Sequence, residues 1–413
     1  MRLLGRYTNG CSHVIYGRQT TALHFNENYV LNAETDMPYN QFEVNTVTSM
    51  SIWKLGYVLS NLEIRESFEV NSNTVALVPF DDPRLLKIQE VSKGANKLLN
   101  GFRDEYGHSR SPSALIYRDD APDKVKSVTA MVDFRNCIAM ACILPGWGHM
   151  NFSQISSPSN PLWSDFFDLY PVVVGSQDTL IVINAALMVG SSENAPFVGM
   201  PSPYIKQPSD RFMVDFNLLQ LLLAKWEERY IKPGSDNWDR RKLFRSLEMA
   251  YRALTLPVKN QGGMHDFGSS LALWVSALEI LAHPKDKGVN KTTVFELLSR
   301  AQWRNPPLRH RRFRLRISNK IKSVTLVERI CNGLYDARNA FLHGNAIYAD
   351  HWRYKGRKVK TALGNVAPVI YRTALMSYLD WRLPSSTDIN DRIIQMICDQ
   401  VYEDFLLQFL RVQ

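Results

Sequence analysis

The sequence predicts an α+β protein: a β-rich, mixed N-terminal domain over residues 1–200, followed by an all-α helical bundle over 210–413. Three observations carry this reading. Short alternating or apolar runs separated by Asn, Asp, Gly and Pro fill much of the first half, the signature of strands and turns. Beyond residue 210 the apolar residues recur at helical spacing. Between the two lies the Ser- and Pro-rich stretch Ser191–Ser209, which reads as a linker or long loop.

The strand candidates are His13–Tyr16, Phe42–Val47, Phe68–Val70 and Thr74–Val78. An amphipathic helix is expected at Pro83–Phe102. Val128–Leu144 and Pro171–Val189 are longer apolar stretches. Periodicity leaves them open between central strands and a strand with a helix. The most apolar run, Thr179–Gly190, has about a dozen residues, short of the roughly 20 of a membrane helix. Helices are then expected at Asp210–Glu228, Trp238–Leu254, Asp266–Ala282, Lys291–Trp303, Lys320–His343, Thr361–Leu383 and Asp388–Leu410. Short connections between helices of this length suit a bundle.

Composition narrows the class. Of 413 residues, 45% are apolar and 22% charged, enough to bury a core. The five cysteines, Cys11, Cys137, Cys142, Cys331 and Cys398, are odd in number and form no Cys-x-x-Cys, which argues against a disulfide scaffold or a zinc ribbon. Cys137 and Cys142 lie in an apolar stretch and read as buried thiols. The start turns polar at once, without a signal-peptide core, so a reduced cytoplasmic protein with no membrane contact is expected. Neither a Walker loop, a Gly-x-Ser-x-Gly nor a His-Glu-x-x-His occurs. Gly146-Trp147-Gly148-His149 is no dinucleotide fingerprint, and no metal or other cofactor is expected.

The net charge of +9 is concentrated. Arg300, Arg304, Arg309, Arg311, Arg312, Arg314, Arg316, Lys320 and Lys322 follow one another without an Asp or Glu between, and these nine equal the whole excess. A second cluster, Arg353, Lys355, Arg357, Lys358 and Lys360, is interleaved with Trp352 and Tyr354. Basic runs with aromatics suit a polyanion with exposed bases. A solvated basic loop, with Trp352 and Tyr354 packed in the core, is the other reading. Pro306-Pro307 favours loop geometry there.

The sharpest local pattern is Leu334-Tyr335-Asp336-Ala337-Arg338-Asn339-Ala340-Phe341-Leu342-His343-Gly344-Asn345. Its bare Arg-x-x-x-x-His spacing recurs at Arg103…His108, so spacing alone says little. The context says more. The segment ends an apolar-periodic helix with Leu326, Ile330, Leu334 and Phe341, and Gly344 stands where a helix C-terminal cap belongs. Asn339 and His343 share a helix face. Arg338 and His343 diverge by about 140° on a regular helix. They converge only where the helix ends or distorts, or where a second chain supplies one partner. A histidine can otherwise simply serve the last carbonyls of a helix.

Tyr335-x-x-Arg338-Asn339-x-x-x-His343-Gly344, with the upstream helix Leu273-Trp274-Val275-Ser276-Ala277-Leu278-Glu279-Ile280-Leu281, resembles the HEPN superfamily, most closely its ApeA-like group. The resemblance covers about Asp210–Gln413. It implies a helical bundle that pairs into a homodimer, with Arg-x(4–6)-His motifs meeting across the cleft, and a metal-independent ribonuclease. It gives His343 the acid/base role, Arg338 the phosphate charge and Asn339 an orienting role, with Glu279 and Tyr335 in support. Glu279, set in an apolar helix, needs a partner: Arg338, or a salt bridge elsewhere in the bundle. Arg309, Arg311, Arg312, Arg314 and Arg316 are the expected RNA-binding residues. The resemblance further implies a toxin or anti-phage effector, its N-terminal part answering to a phage-derived or other activator. A non-catalytic RNA- or nucleotide-binding module is the alternative.

Overall fold

The computed structural model describes residues 53–410, less 105, 154–163, 176, 185–186, 191–213, 233, 235–236, 256–262, 318, 345–351, 355–360 and 382–388. Cys11, the strands expected at His13–Tyr16 and Phe42–Val47, the linker Ser191–Ser209, Asn345, Lys355, Arg357, Lys358 and Lys360 lie outside the described residues. Met50–Gln413 forms one compact unit.

The protein has a sheet-bearing N-terminal part and a mostly helical C-terminal part. Strands β1 (Trp53–Leu59), β2 (Phe68–Glu69), β3 (Val75–Val78) and β4 (Ser113–Arg118) make an antiparallel sheet in the order β1-β4-β3-β2. Both its faces are buried. Leu55, Val58, Ala76, Val78, Ala114 and Ile116 pack against helices α1 (Pro83–Val91) and α2 (Lys93–Leu99). Tyr57, Leu59, Val75, Leu77 and Leu115 belong to the large core shared with the bundle. The alternation between the two sets is the two-residue period of a strand.

The single helix expected at Pro83–Phe102 is two. Ser92 takes an extended conformation and its hydroxyl accepts from Ala95 N at 3.0 Å, so it caps α2 and ends α1. Val128–Leu144 is the start of one helix, α3 (Val128–Ser153), whose apolar residues are spread around its circumference, so that it carries little periodic signal. It is long and apolar enough to cross a membrane, but most of it is buried inside the protein. Pro171–Val189 resolves into β5 (Val172–Val174), β6 (Leu180–Asn184) and β7 (Leu187–Gly190), an antiparallel three-stranded sheet.

Helices α4 (Phe216–Tyr230), α5 (Trp238–Thr255), α6 (Met264–Ala282), α7 (Lys291–Leu298), α8 (Pro306–His310), α9 (Leu326–Leu342), α10 (Leu363–Tyr378) and α11 (Ile389–Gln408) follow. The C-terminal part is not all-α. Lys320–Val324 is a strand, β9, paired with β8 (Phe313–Ile317), rather than the start of a helix. Asn319 turns the hairpin with φ +64°, and Thr325 begins α9 through a capping box with Glu328. Helix α7 also stops at Leu298, well before Trp303.

Helix α3 packs against α4, α5, α10 and α11, and α6 packs against α5, α9 and α10. A buried ion network ties these layers together. Arg372 on α10 donates to Asp215, the cap of α4, at 2.6 and 3.0 Å, and to Asp399 on α11 at 2.9 Å. Its guanidinium also lies 3.9 Å from the centre of the Tyr402 ring.

Candidate functional site at the α6–α9 crossing

The capping box starts α9 in a fixed register: Glu328 N donates to Thr325 Oγ1 at 3.3 Å, and Thr325 N donates to Glu328 Oε2 at 2.5 Å. Leu326, Ile330, Cys331, Leu334, Tyr335 and Ala337 then form its buried stripe. Arg338 falls at the edge of that stripe and Asn339 just outside it. The helix ends at Leu342. His343 is the C-cap, its backbone N donating to Asn339 O at 3.0 Å, and Gly344 takes φ +67°. A left-handed residue in this place frees the chain from the helix without the steric cost a side chain would bring.

Helix α6 runs antiparallel beside α9, since Gly268 meets Phe341 while the later residue Glu279 meets the earlier Arg338. Trp274, Val275, Leu278 and Leu281 bury its other face. Glu279 stays half-buried, with its Oε2 3.9 Å from Arg338 Nη2. Arg338 Nη1 donates to Asn339 Oδ1 at 3.2 Å, and its buried Nε has no hydrogen-bond partner. The guanidinium is therefore held in place but not used up. Arg372, saturated by two carboxylates, is the contrast within the same bundle.

Tyr335 is buried beside this pair. Its hydroxyl makes no hydrogen bond of good geometry, and burial first, the neighbouring Glu279 carboxylate second, push its pKa above the ordinary tyrosine range. Lys291 at the start of α7 closes the group, donating to Asn332 Oδ1 at 2.7 Å with its Nζ 6.0 Å from the centre of the Tyr335 ring. Asn332 in turn donates to Asp336 at 2.7 Å.

The structure thus brings Arg338, Asn339, Glu279 and Tyr335 together. It leaves the His343 imidazole exposed at the helix end, with no hydrogen bond or ion pair among the described residues. Arg338 reaches back along α9 toward Glu279, away from His343, as side chains on a helix lean toward its N-terminus. Two neighbours escaped the sequence reading. Lys291 and His265 come from distant helix starts, and no local spacing marks them. His265 packs edge-on to Phe341, with ring centroids 6.1 Å apart, and is exposed. Among the described residues no three His, Cys, Asp or Glu side chains are grouped as a metal ion would need.

The aromatics of the second basic cluster are turned inward. Tyr354 is buried against Phe409 at 4.9 Å, and Trp352 packs on Phe341 at 6.2 Å. Cys137, Cys142 and Cys331 are free and buried, and burial pushes their thiols up. Of the expected RNA-binding arginines, Arg309 donates to Trp303 O, Arg311 to Leu410 O and Arg312 to Arg309 O, whereas Arg314 and Arg316 are exposed on β8.

Comparison with family models, with curated proteins and with solved structures finds no match to this chain.

Proposed function

We propose that the chain is a metal-independent RNA endonuclease of the HEPN type, acting as a homodimer in a toxin or anti-phage defence role. The observation that carries this reading is Arg338: a half-buried arginine, steadied by Glu279 and Asn339, with hydrogen-bonding capacity to spare, five residues before an exposed histidine. RNA carries its own nucleophile. The 2′-hydroxyl attacks the adjacent phosphorus, and the bond to the 5′-oxygen breaks. His343 carries the proton from the 2′-hydroxyl to the departing 5′-oxygen. Arg338 meets the charge that builds on the phosphoryl oxygens. Glu279 and Asn339 position the guanidinium. The products are a 2′,3′-cyclic phosphate and a 5′-hydroxyl, and DNA resists. Because Arg338 leans away from His343 within one chain, the reading assigns a composite site to the dimer. The N-terminal part is the regulatory element, answering to an activator.

The same divergence favours a second reading, a non-catalytic RNA- or nucleotide-binding module. The deciding test is cleavage of end-labelled RNA in EDTA by the full chain and by His343→Ala, with folding and dimerisation checked. Cyclic-phosphate ends that vanish in the variant support the enzyme. Equal activity in both removes His343 from the chemistry. RNA binding without cleavage by either supports the binding module.

A further inference from the structure

The cations of the 300–322 run are not equivalent. Arg304 is within 3.4 Å of Asp399, and Arg309, Arg311 and Arg312 donate to main-chain carbonyls of the protein itself. Arg304 and Arg311 hold α8 and its flanks to the C-terminal segment, and Arg309 and Arg312 brace the turns around α8 itself. Arg314, Arg316, Lys320 and Lys322 are exposed, and no hydrogen bond or ion pair holds them among the described residues.

The register of the β8–β9 ribbon says where they stand. Arg314 lies opposite Ser323 and Arg316 opposite Ile321, so these four share one face. Phe313, Leu315 and Ile317 share the other face with Val324, Lys322 and Lys320. That second face is anchored: Ile317 and Val324 are buried, Leu315 packs on the core, and the Arg329 guanidinium lies 4.8 Å from the centre of the Phe313 ring. The first face looks outward. Arg314 and Arg316 stand two residues apart along it, about 7 Å at the rise of a strand. Lys320 and Lys322 add charge at the edge. Unpaired like charges at this density repel one another, and a polyanion relieves that repulsion.

From this we infer that the β8–β9 ribbon is the docking element for RNA and that it takes base-paired RNA by its phosphates. The inference rests on the proposed action on RNA and deepens it. The choice of base-paired over unpaired RNA comes from the aromatics. Proteins that hold single strands stack bases on exposed rings. Here Phe313 is half-buried beneath Arg329, Tyr354 is buried, and Trp352 packs on Phe341. A ribbon with free cations and, among the described residues, no exposed aromatic ring of its own suits a duplex, which is recognised through phosphates and shape.

The test uses the full chain carrying His343→Ala, so that bound RNA survives. Fluorescence anisotropy compares a fully paired RNA hairpin with an unpaired strand of equal length, and sedimentation tests anionic phospholipid vesicles. The expected result is tighter binding of the hairpin. Arg314→Gln with Arg316→Gln then weakens it about tenfold or more, and the slope of log K against log salt falls by about two. Lys124→Gln, an exposed position in the turn between β4 and α3, serves as the control. Equal or tighter binding of the unpaired strand, wild-type affinity in the double variant, or capture by vesicles in place of RNA each overturns the inference. The two readings separate cleanly. Ribbon-dependent hairpin binding by a chain that never cleaves sinks the nuclease and leaves the docking element. RNA cleavage by a chain whose double variant binds RNA as well as wild type does the reverse.

Discussion

Gly268 offers the sharpest check on the crossing that positions the site. It is buried in α6 against the ring of Phe341, two residues before His343. A Cβ at this position would lie 2.2 Å from Cδ2, 2.4 Å from Cε2 and 2.5 Å from Cγ of that ring. Carbon atoms rest at about 3.5–4.0 Å, so the ring must withdraw by more than about 1 Å. Two terms then compete in Gly268→Ala. Helix propensity favours alanine by about 1 kcal/mol. Overpacking costs about 1–3 kcal/mol. The net expectation runs from neutral to about 2 kcal/mol destabilising. The coupling is more telling than the net. With Phe341→Ala in place the ring is gone, and the same glycine substitution stabilises by about 1 kcal/mol. The double-mutant cycle should therefore show an interaction of about 1–3 kcal/mol. Urea unfolding of the four proteins, followed by circular dichroism, measures it. An identical effect of Gly268→Ala on both backgrounds would refute the claim that this contact sets the crossing.

Three further outcomes follow from the geometry. Arg372→Met leaves the Asp215 and Asp399 carboxylates buried without their cation and should cost about 3–5 kcal/mol in urea unfolding; a loss below about 1 kcal/mol would show that the network is solvated. Tyr335→Phe removes a buried hydroxyl that makes no good hydrogen bond, so stability should change by less than about 1 kcal/mol. A loss above about 2 kcal/mol would show that the hydroxyl is firmly bonded. Burial holds the Asp133 carboxyl up at about 6, although Tyr230 and Arg229 work to lower it. The native state then binds this proton more tightly than the unfolded chain, so its contribution is full below about pH 4 and is lost as pH rises through about 6. Relative to Asp133→Asn, wild type should gain up to about 3 kcal/mol between pH 7 and pH 4. A pH-independent difference in unfolding midpoint would exclude the shift.

Which parts were legible in the sequence follows from where local signals decide structure. Helices α5 and α6 start and stop close to where the sequence predicts, α5 because its polar face sets a strong contrast. The end of α9 was readable at Gly344 for the same local reason: the left-handed turn there favours glycine. Helix α3 was not readable. Most of it is buried and most of its residues are apolar, and such a segment has little period to distinguish helix from strand. The β8–β9 ribbon is hidden in the sequence because helical spacing continues back from α9 through Lys320. The capping box at Thr325 and Glu328, which stops that extension, is itself a sequence signal. Arg338 and Glu279 could be nominated as partners from sequence. That Arg338 keeps spare hydrogen-bonding capacity, while Arg309, Arg311 and Arg312 spend theirs on nearby carbonyls, depends on where those carbonyls fall in space.

The bundle that carries the site cannot be cut away from the chain before residue 210. Helix α3 supplies the surface on which α4 and α5 are laid down. The buried Trp226 indole donates to Ala130 O at 2.8 Å, Asp215 N donates to Ala141 O at 2.9 Å, and Arg229 pairs with Asp133 at 3.0 Å. Remove α3 and the fully buried Leu218, Leu222, Trp226 and Leu247 meet water, at about 1.5–3 kcal/mol for each large side chain, against a total stability of about 5–15 kcal/mol. Asp215 would also lose the backbone bond that seats it beneath Arg372. That ion network joins α4, α10 and α11, and α10 lies against both helices of the site. A fragment 210–413 should therefore fail to unfold cooperatively, and an inactive fragment would say nothing about His343. A folded, cooperative fragment would show that α3 is dispensable to the bundle and to the site.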